Sequence, residues 1–194
     1  MKAVVYYDAN DFRWEDVQTP EIGPSEALVK VRACGLCSTD IWKAVHHTAE
    51  PGSVLGHEVS GEVTKAGSGA KGLEVGDRVA VYHRAECGAC YYCGHGQETL
   101  CGQYRQQSIF PGAFAEYIRV VPRLVQKSII RIPDELTYEE ATLIEPTACC
   151  VRAVSKCGIT LGDSVLIVGD GPLGLLNAQV SKDAGASTVM LSGH

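Results

Sequence analysis

Four cysteines, Cys87, Cys90, Cys93 and Cys101, lie within the run CGACYYCGHGQETLC. Two residues between each of the first three let a tight turn aim their sulfurs at one point, and four thiolates complete the tetrahedral shell of a structural Zn²⁺ ion. The competing reading is a redox Cys-x-x-Cys pair or a disulfide framework, and neither needs four cysteines in so short a lobe. A second set of metal-ligand types is scattered: Cys37 in CGLCSTD, His57 and Glu58 in GHE, and Glu145 in IEP. Taken singly, the cysteine reads as a small buried hydrophobe and the His-Glu pair as a hydrogen-bonded turn.

A third feature is Gly169-Asp170-Gly171-Pro172-Leu173-Gly174, placed after the apolar run Ser164–Val168 and before Leu173, Leu176 and Val180 at helical spacing. Glycines at this spacing let a backbone approach a pyrophosphate, and the helix N-terminus offers unpaired N–H groups to it. The bland alternative is a tight strand-to-helix turn. The residue ending the next strand, read as Thr188–Ser192, selects the nucleotide, because a carboxylate there holds ribose hydroxyls and repels a 2′-phosphate. That place holds Gly193, with His194 after it as a candidate phosphate partner, so NAD and NADP both stay open.

These residues need elements to position them. The first 120 or so residues carry short alternating segments, such as 27–32, 61–64, 77–82 and 113–121, broken by GPSEA, AGSGA and EVGDR. They predict a barrel-like β domain. Beyond Pro133, Thr137-Tyr138-Glu139-Glu140 has the form of a capping box and opens a helical stretch that Pro146 is expected to interrupt at Glu145, before a second segment ending near Gly158. From Gly162 the pattern is strand, glycine loop, helix, strand, with Gly185 as the helix stop.

Composition narrows the class. The 194 residues are 45% hydrophobic and 21% charged, which suits a globular protein and excludes a disordered or fibrous one. A net charge of −6 and the lack of a basic patch argue against a nucleic-acid partner. No apolar run reaches the ~18 residues of a membrane span, and MKAVVYYDANDF is too polar for a secretory core, so a cytoplasmic location is expected. Nine cysteines in such a chain are read as metal ligands and buried thiols.

CGLCSTD, the GHE of VLGHEVSGEV, the four-cysteine lobe, PGAFAEYIRV, the IEP turn and VLIVGDGPLG occur in this order across nearly the whole chain. In this the chain resembles the zinc-dependent medium-chain alcohol and polyol dehydrogenases, the group of sorbitol and threonine dehydrogenases. The resemblance implies a mixed α/β chain: a GroES-like β-barrel catalytic domain over residues 1–145, then the beginning of a Rossmann dinucleotide-binding domain over 146–194. It implies two zinc ions, one structural in the cysteine lobe and one catalytic. Cys37 and His57 would be the core catalytic ligands, Glu58 the exchangeable third, and Glu145 the carboxylate that binds the metal or its water in the polyol branch. Thr39 would pass the substrate proton outward, Asp40 would stand behind the zinc ligands, and Gly169, Gly171, Pro172, Leu173, Gly174, Gly193 and His194 would meet NAD or NADP.

Two departures from the family pattern stand out. Trp42 occupies a place where many relatives carry a relay histidine, with His46 or His47 as candidate substitutes. The chain also holds only the first strands of the family's nucleotide fold, so it reads as the N-terminal portion of a longer, homo-oligomeric enzyme and is expected to be inactive by itself. A parallel sheet of two strands would leave apolar faces uncovered and unstable unless paired. Cys34, Cys149, Cys150 and Cys157 are given packing roles only. The rival readings are a non-catalytic zinc module holding one zinc, and a zinc-free quinone reductase, whose relatives lack both the Cys-His-Glu set and the lobe.

Overall fold

The computed structural model describes residues 1–106 and 108–193, which form two compact units, Met1–Thr142 and Leu143–His194. In the first, strand β1 (Lys2–Asp8) pairs antiparallel with β2 (Asp11–Asp16) on one side and β4 (Ser53–Val54) on the other. A second sheet holds β3 (Ala27–Gly35), β5 (Glu58–Ala66), β6 (Arg78–Tyr82), β7 (Tyr117–Val120) and β8 (Ile129–Arg131). Its order is β7-β3-β5-β6-β8, antiparallel throughout. Among the described residues this sheet stays open, with β7 and β8 as its edges, so the expected barrel is not closed. The shortness of β7 is one reason: of 113–121 only 117–120 pairs as a strand, while Ala115 makes an isolated bridge to Ala3 in the other sheet.

Alternation decides which faces are buried. Val29, Val63, Val79, Ile118, Val120 and Leu124 lose all contact with solvent in one cluster, and burying each such side chain stabilises the fold by about 1.5–3 kcal/mol. Tyr6 is equally buried and donates its hydroxyl to Ala44 O at 3.2 Å, tying β1 to helix α1 (Ser38–Val45).

The register of the large sheet does the functional work. Gly35, at the end of β3, lies opposite Glu58, at the start of β5, and Glu58 lies opposite Tyr82, at the end of β6. One end of these central strands therefore gathers the chain around Cys37, His57 and His83. Beyond β6 come the short helix α2 (Tyr91–Gly94) and a 3₁₀ turn at Glu98–Leu100, then α3 (Pro122–Lys127). Helix α4 (Tyr138–Ala141) closes the unit, with the expected capping box: Thr137 Oγ1 accepts the Glu140 N–H at 3.1 Å, and Glu140 Oε2 accepts the Thr137 N–H at 2.9 Å.

The second unit opens with α5 (Ile144–Cys157), stopped by Gly158 in the left-handed conformation, φ 67°. Pro146 does not break the helix at Glu145, as the sequence suggested. The break falls at Thr142 and Leu143, and Pro146 sits in the first turn of α5, where a missing N–H costs nothing because that group has no intrahelical partner. Strand β9 (Ser164–Val168), helix α6 (Pro172–Asp183) and strand β10 (Thr188–Ser192) follow, and β10 runs parallel to β9 from Thr188↔Ser164 to Ser192↔Val168. Among the described residues no helix is long and apolar enough to cross a membrane.

Candidate metal and nucleotide sites

The sulfurs of Cys87, Cys90, Cys93 and Cys101 all lie within 4.8 Å of one another. Cys93 Sγ is 3.9 Å from Cys87 Sγ and 3.5 Å from Cys90 Sγ. Four sulfurs held about 2.3 Å from a central zinc would sit about 3.8 Å apart, so the spacing fits that ion. Backbone N–H groups turn toward the sulfurs: Cys87 donates to Cys101 Sγ and Ala89 to Cys87 Sγ, each at 3.4 Å. The Ala89 N–H draws the Cys87 thiol down to about 6, and the Cys87 N–H lowers Cys101, while burial pushes Cys93 up to about 11. A dication suits such a set, since it displaces the protons that the reluctant thiols retain. All nine cysteines are free, so no disulfide framework competes for these four.

The second cluster is built at the shared end of β3 and β5. Cys37 caps α1, its sulfur accepting the Thr39 N–H at 3.4 Å. Asp40, three residues on, accepts the Cys37 N–H at 3.3 Å through Oδ2 and the Gly56 N–H at 3.3 Å through Oδ1. The same Oδ1 lies 3.2 Å from His57 Nδ1, with the Asp40 side chain 2% exposed and that of His57 12%. One buried carboxylate thus fixes the start of α1, the turn before β5 and the imidazole. Ligand atoms of Cys37, His57 and Glu58 fall within 4.8 Å of one another. Glu58 is buried, and Gly35 makes room for it: a Cβ there would strike its carboxylate.

The charges around His57 favour a cation. Burial would depress His57, yet the hydrogen bond and charge of Asp40, with the Cys37 sulfur, hold it up at about 9. Burial would raise Asp40, and the bond from His57 keeps it below the usual carboxylate range instead. With Nδ1 facing Asp40, Nε2 is the nitrogen left for a metal. The donor set fits zinc, for which thiolate, imidazole and carboxylate are the usual ligands.

One neighbour had no signal in the sequence. The His83 ring lies 4.8 Å from that of His57, and its Nδ1 is buried with no hydrogen-bond partner. Burial, then the charge of His57, pushes His83 down to about 3. Nothing in VYHRAEC marks this histidine; only the β5–β6 register brings it to the cluster. Thr39 is exposed on the first turn of α1. Trp42 packs its ring 4.8 Å from that of His46, and His47 Nδ1 pairs with Asp8 Oδ1 at 2.9 Å on the surface. Glu145 belongs to the second unit, on the first turn of α5, with Cys149 Sγ 4.0 Å from its Oε1.

The glycine loop has the features a pyrophosphate needs. Gly169 adopts φ 112°, open to glycine alone in practice, and Gly171 has empty space where a side chain would be. A Cβ on Gly174 would collide with the Gly169 carbonyl, so α6 packs tightly under the loop. Gly171 caps α6 without any side-chain bond, and Pro172 takes the first helical position, with Leu173 next. The N–H groups of that first turn are therefore left for an anion. Gly193 follows β10 directly, and His194 lies outside the described residues.

Residues 23–134, more than half of the chain, match the alcohol dehydrogenase GroES-like domain, and the chain belongs to that family. Within it the chain sides with the medium-chain zinc-dependent alcohol and polyol dehydrogenases. It is 35% identical to the sorbitol dehydrogenase of Bacillus subtilis (strain 168) over 199 residues, covering 99% of this chain and 55% of the relative. The L-threonine 3-dehydrogenase of Pyrococcus furiosus is 41% identical over 186 residues, with 91% and 51% covered. A zinc-binding dehydrogenase from Sinorhizobium meliloti, solved bound to NADP, superposes with a TM-score of 0.85 at 37% identity, over 98% of this chain and 55% of that one. The chain thus spans about half the length of the relatives it matches.

Proposed function

We propose that this chain carries the zinc-binding and pyrophosphate-binding parts of a dehydrogenase that moves hydride between a secondary alcohol or polyol and NAD(P). The observation that carries this reading is the meeting of Cys37, His57 and Glu58 within 4.8 Å, backed by buried Asp40, in a chain that also holds a four-sulfur cluster. Zinc, when bound, acidifies an alcohol hydroxyl, and the nicotinamide accepts hydride. The chain's residues do the rest. Asp40 takes the Nδ1 proton of His57 in a hydrogen bond and so presents Nε2 as the ligand atom. Cys37, His57 and Glu58 hold the catalytic ion, and Cys87, Cys90, Cys93 and Cys101 hold the structural one. Thr39 takes the alcohol proton outward through its hydroxyl. Glu145 contributes a further carboxylate to the metal or its water. Gly169, Gly171, Pro172, Leu173 and Gly174 cradle the pyrophosphate, with Gly193 and His194 at the adenosine end. The working place is the cytoplasm, the partner a small alcohol or polyol, and the whole enzyme a homo-oligomer. The chain is inactive alone, because two parallel strands form too little of the nicotinamide side.

Native mass spectrometry of the purified chain tests this directly. Two zinc ions per chain are expected, with Cys37→Ser and Cys93→Ser each removing one and Glu145→Gln lowering occupancy at the site that Cys37→Ser empties. A single zinc, lost with Cys93→Ser and indifferent to Cys37→Ser, would leave a non-catalytic zinc module as the better reading. Alcohol-dependent reduction of NAD(P) by the chain alone would overturn its inactivity.

A further inference from the structure

Nicotinamide nucleotides in open α/β sheets bind across the carboxyl ends of the strands, with the adenosine ribose over the end of the second one. In this chain that strand, β10, is followed directly by Gly193, which has no side chain to offer. The space is nonetheless filled. A Cβ built on Gly193 falls on the Cβ, Cγ and Oδ2 atoms of Asp170, the second residue of the glycine loop. The backbone explains how the carboxylate gets there: the Gly169 N–H donates to Ser192 O at 2.7 Å, pinning the loop to the end of β10, and Gly169 at φ 112° turns the chain so that the next side chain swings across.

We propose that Asp170 selects the nucleotide, its carboxylate standing in from the loop for the acidic side chain that Gly193 lacks and favouring NAD over NADP. This rests on the dinucleotide reading of the loop given above. The carboxylate accepts hydrogen bonds from the ribose hydroxyls of NAD, whereas the 2′-phosphate of NADP brings like charge to the same spot. Segments 169–174 and 188–193 contain no Lys or Arg to neutralise that phosphate. Gly193 and Asp170 are then one device in two parts, since any side chain at 193 would evict the carboxylate.

Ligand-observed NMR titrations of the zinc-loaded, 194-residue chain with NAD⁺ and NADP⁺ decide the matter. NAD⁺ is expected to bind about tenfold or more tightly than NADP⁺, and Asp170→Asn, of equal size without the charge, to bring the two within about threefold. Circular dichroism of the variant checks that its fold is unchanged. A ratio that Asp170→Asn leaves untouched, or tighter binding of NADP⁺ by the unaltered chain, would overturn the role of Asp170 and leave the dinucleotide reading standing. Failure of the folded chain to bind either nucleotide at millimolar concentration would remove that reading itself, and the role of Asp170 with it.

Discussion

The two units of this chain solve the problem of apolar strands in opposite ways. In Met1–Thr142 the large sheet packs one face into a core in which Val29, Val63, Val79 and Ile118 are all 0% exposed. In Leu143–His194 the strands β9 and β10 leave Leu166 62% and Val168 84% exposed. Parallel strands of this composition normally have helices on both faces, and here α6 packs on the pair. The lesson concerns where stability and function reside. In the first unit the candidate metal ligands stand at one end of central strands that a packed core makes rigid, while within these 194 residues the glycine loop of the second stands on two strands with little core around them.

The largest test of this contrast compares two aliphatic truncations. Ile118→Ala removes a fully buried side chain and is expected to cost about 3 kcal/mol in urea unfolding. Trp14 and Trp42, the chain's only tryptophans, both lie in the first unit and report its unfolding by fluorescence. Val168→Ala, at an exposed position, is expected to change the protection of β9 amides in hydrogen exchange by no more than about 0.5 kcal/mol. Equal costs would mean that β9 is covered in solution and would dissolve the comparison.

How legible was this in the residues? Local features were. The four-cysteine spacing, the Thr137 capping box, the helix end near Gly158 and the strand-loop-helix-strand of the second unit each depend on neighbours within a few positions, and each is present in the fold. Features that depend on pairing between distant segments were not. Closure of the sheet turns on which strands meet at its edges, and Gly35 as the space for Glu58, or His83 as the neighbour of His57, follows only from the β3–β5–β6 register. The break expected at Glu145 fails for a different reason: proline disfavours helix in the residue before it, yet the first turn of α5 accommodates both Glu145 and the ring of Pro146. Asp170 has no role in the linear reading, because nothing in the chain itself says that Gly193 lies beside it.

A smaller contrast separates helix starts. Helix α4 satisfies its N-terminal donors internally, through Thr137 and Glu140, whereas α6 has no side-chain cap at Gly171. Thr137→Ala is therefore expected to destabilise the first unit by about 1 kcal/mol in the same unfolding assay. A loss near zero would show that packing alone holds α4 in place.

The converse change at α6 has the smallest expected effect on stability and says most about purpose. Gly171 has φ −71° and ψ 179°, an extended geometry open to any residue, and a side chain there would meet nothing within 4 Å. Serine at this cap would accept a first-turn N–H and should stabilise α6 by a few tenths of a kcal/mol, the usual advantage of serine over glycine at an N-cap. The glycine persists there at a cost to the helix, which makes sense if the empty space and the free N–H groups belong to a phosphate. Gly171→Ser should accordingly slow hydrogen exchange in α6 slightly while weakening NAD⁺ binding by about tenfold or more, because its side chain enters the cradle and its hydroxyl takes a donor the pyrophosphate would use. If binding survives intact, the pyrophosphate does not lie over Gly171, and the openness of that helix start has some other cause.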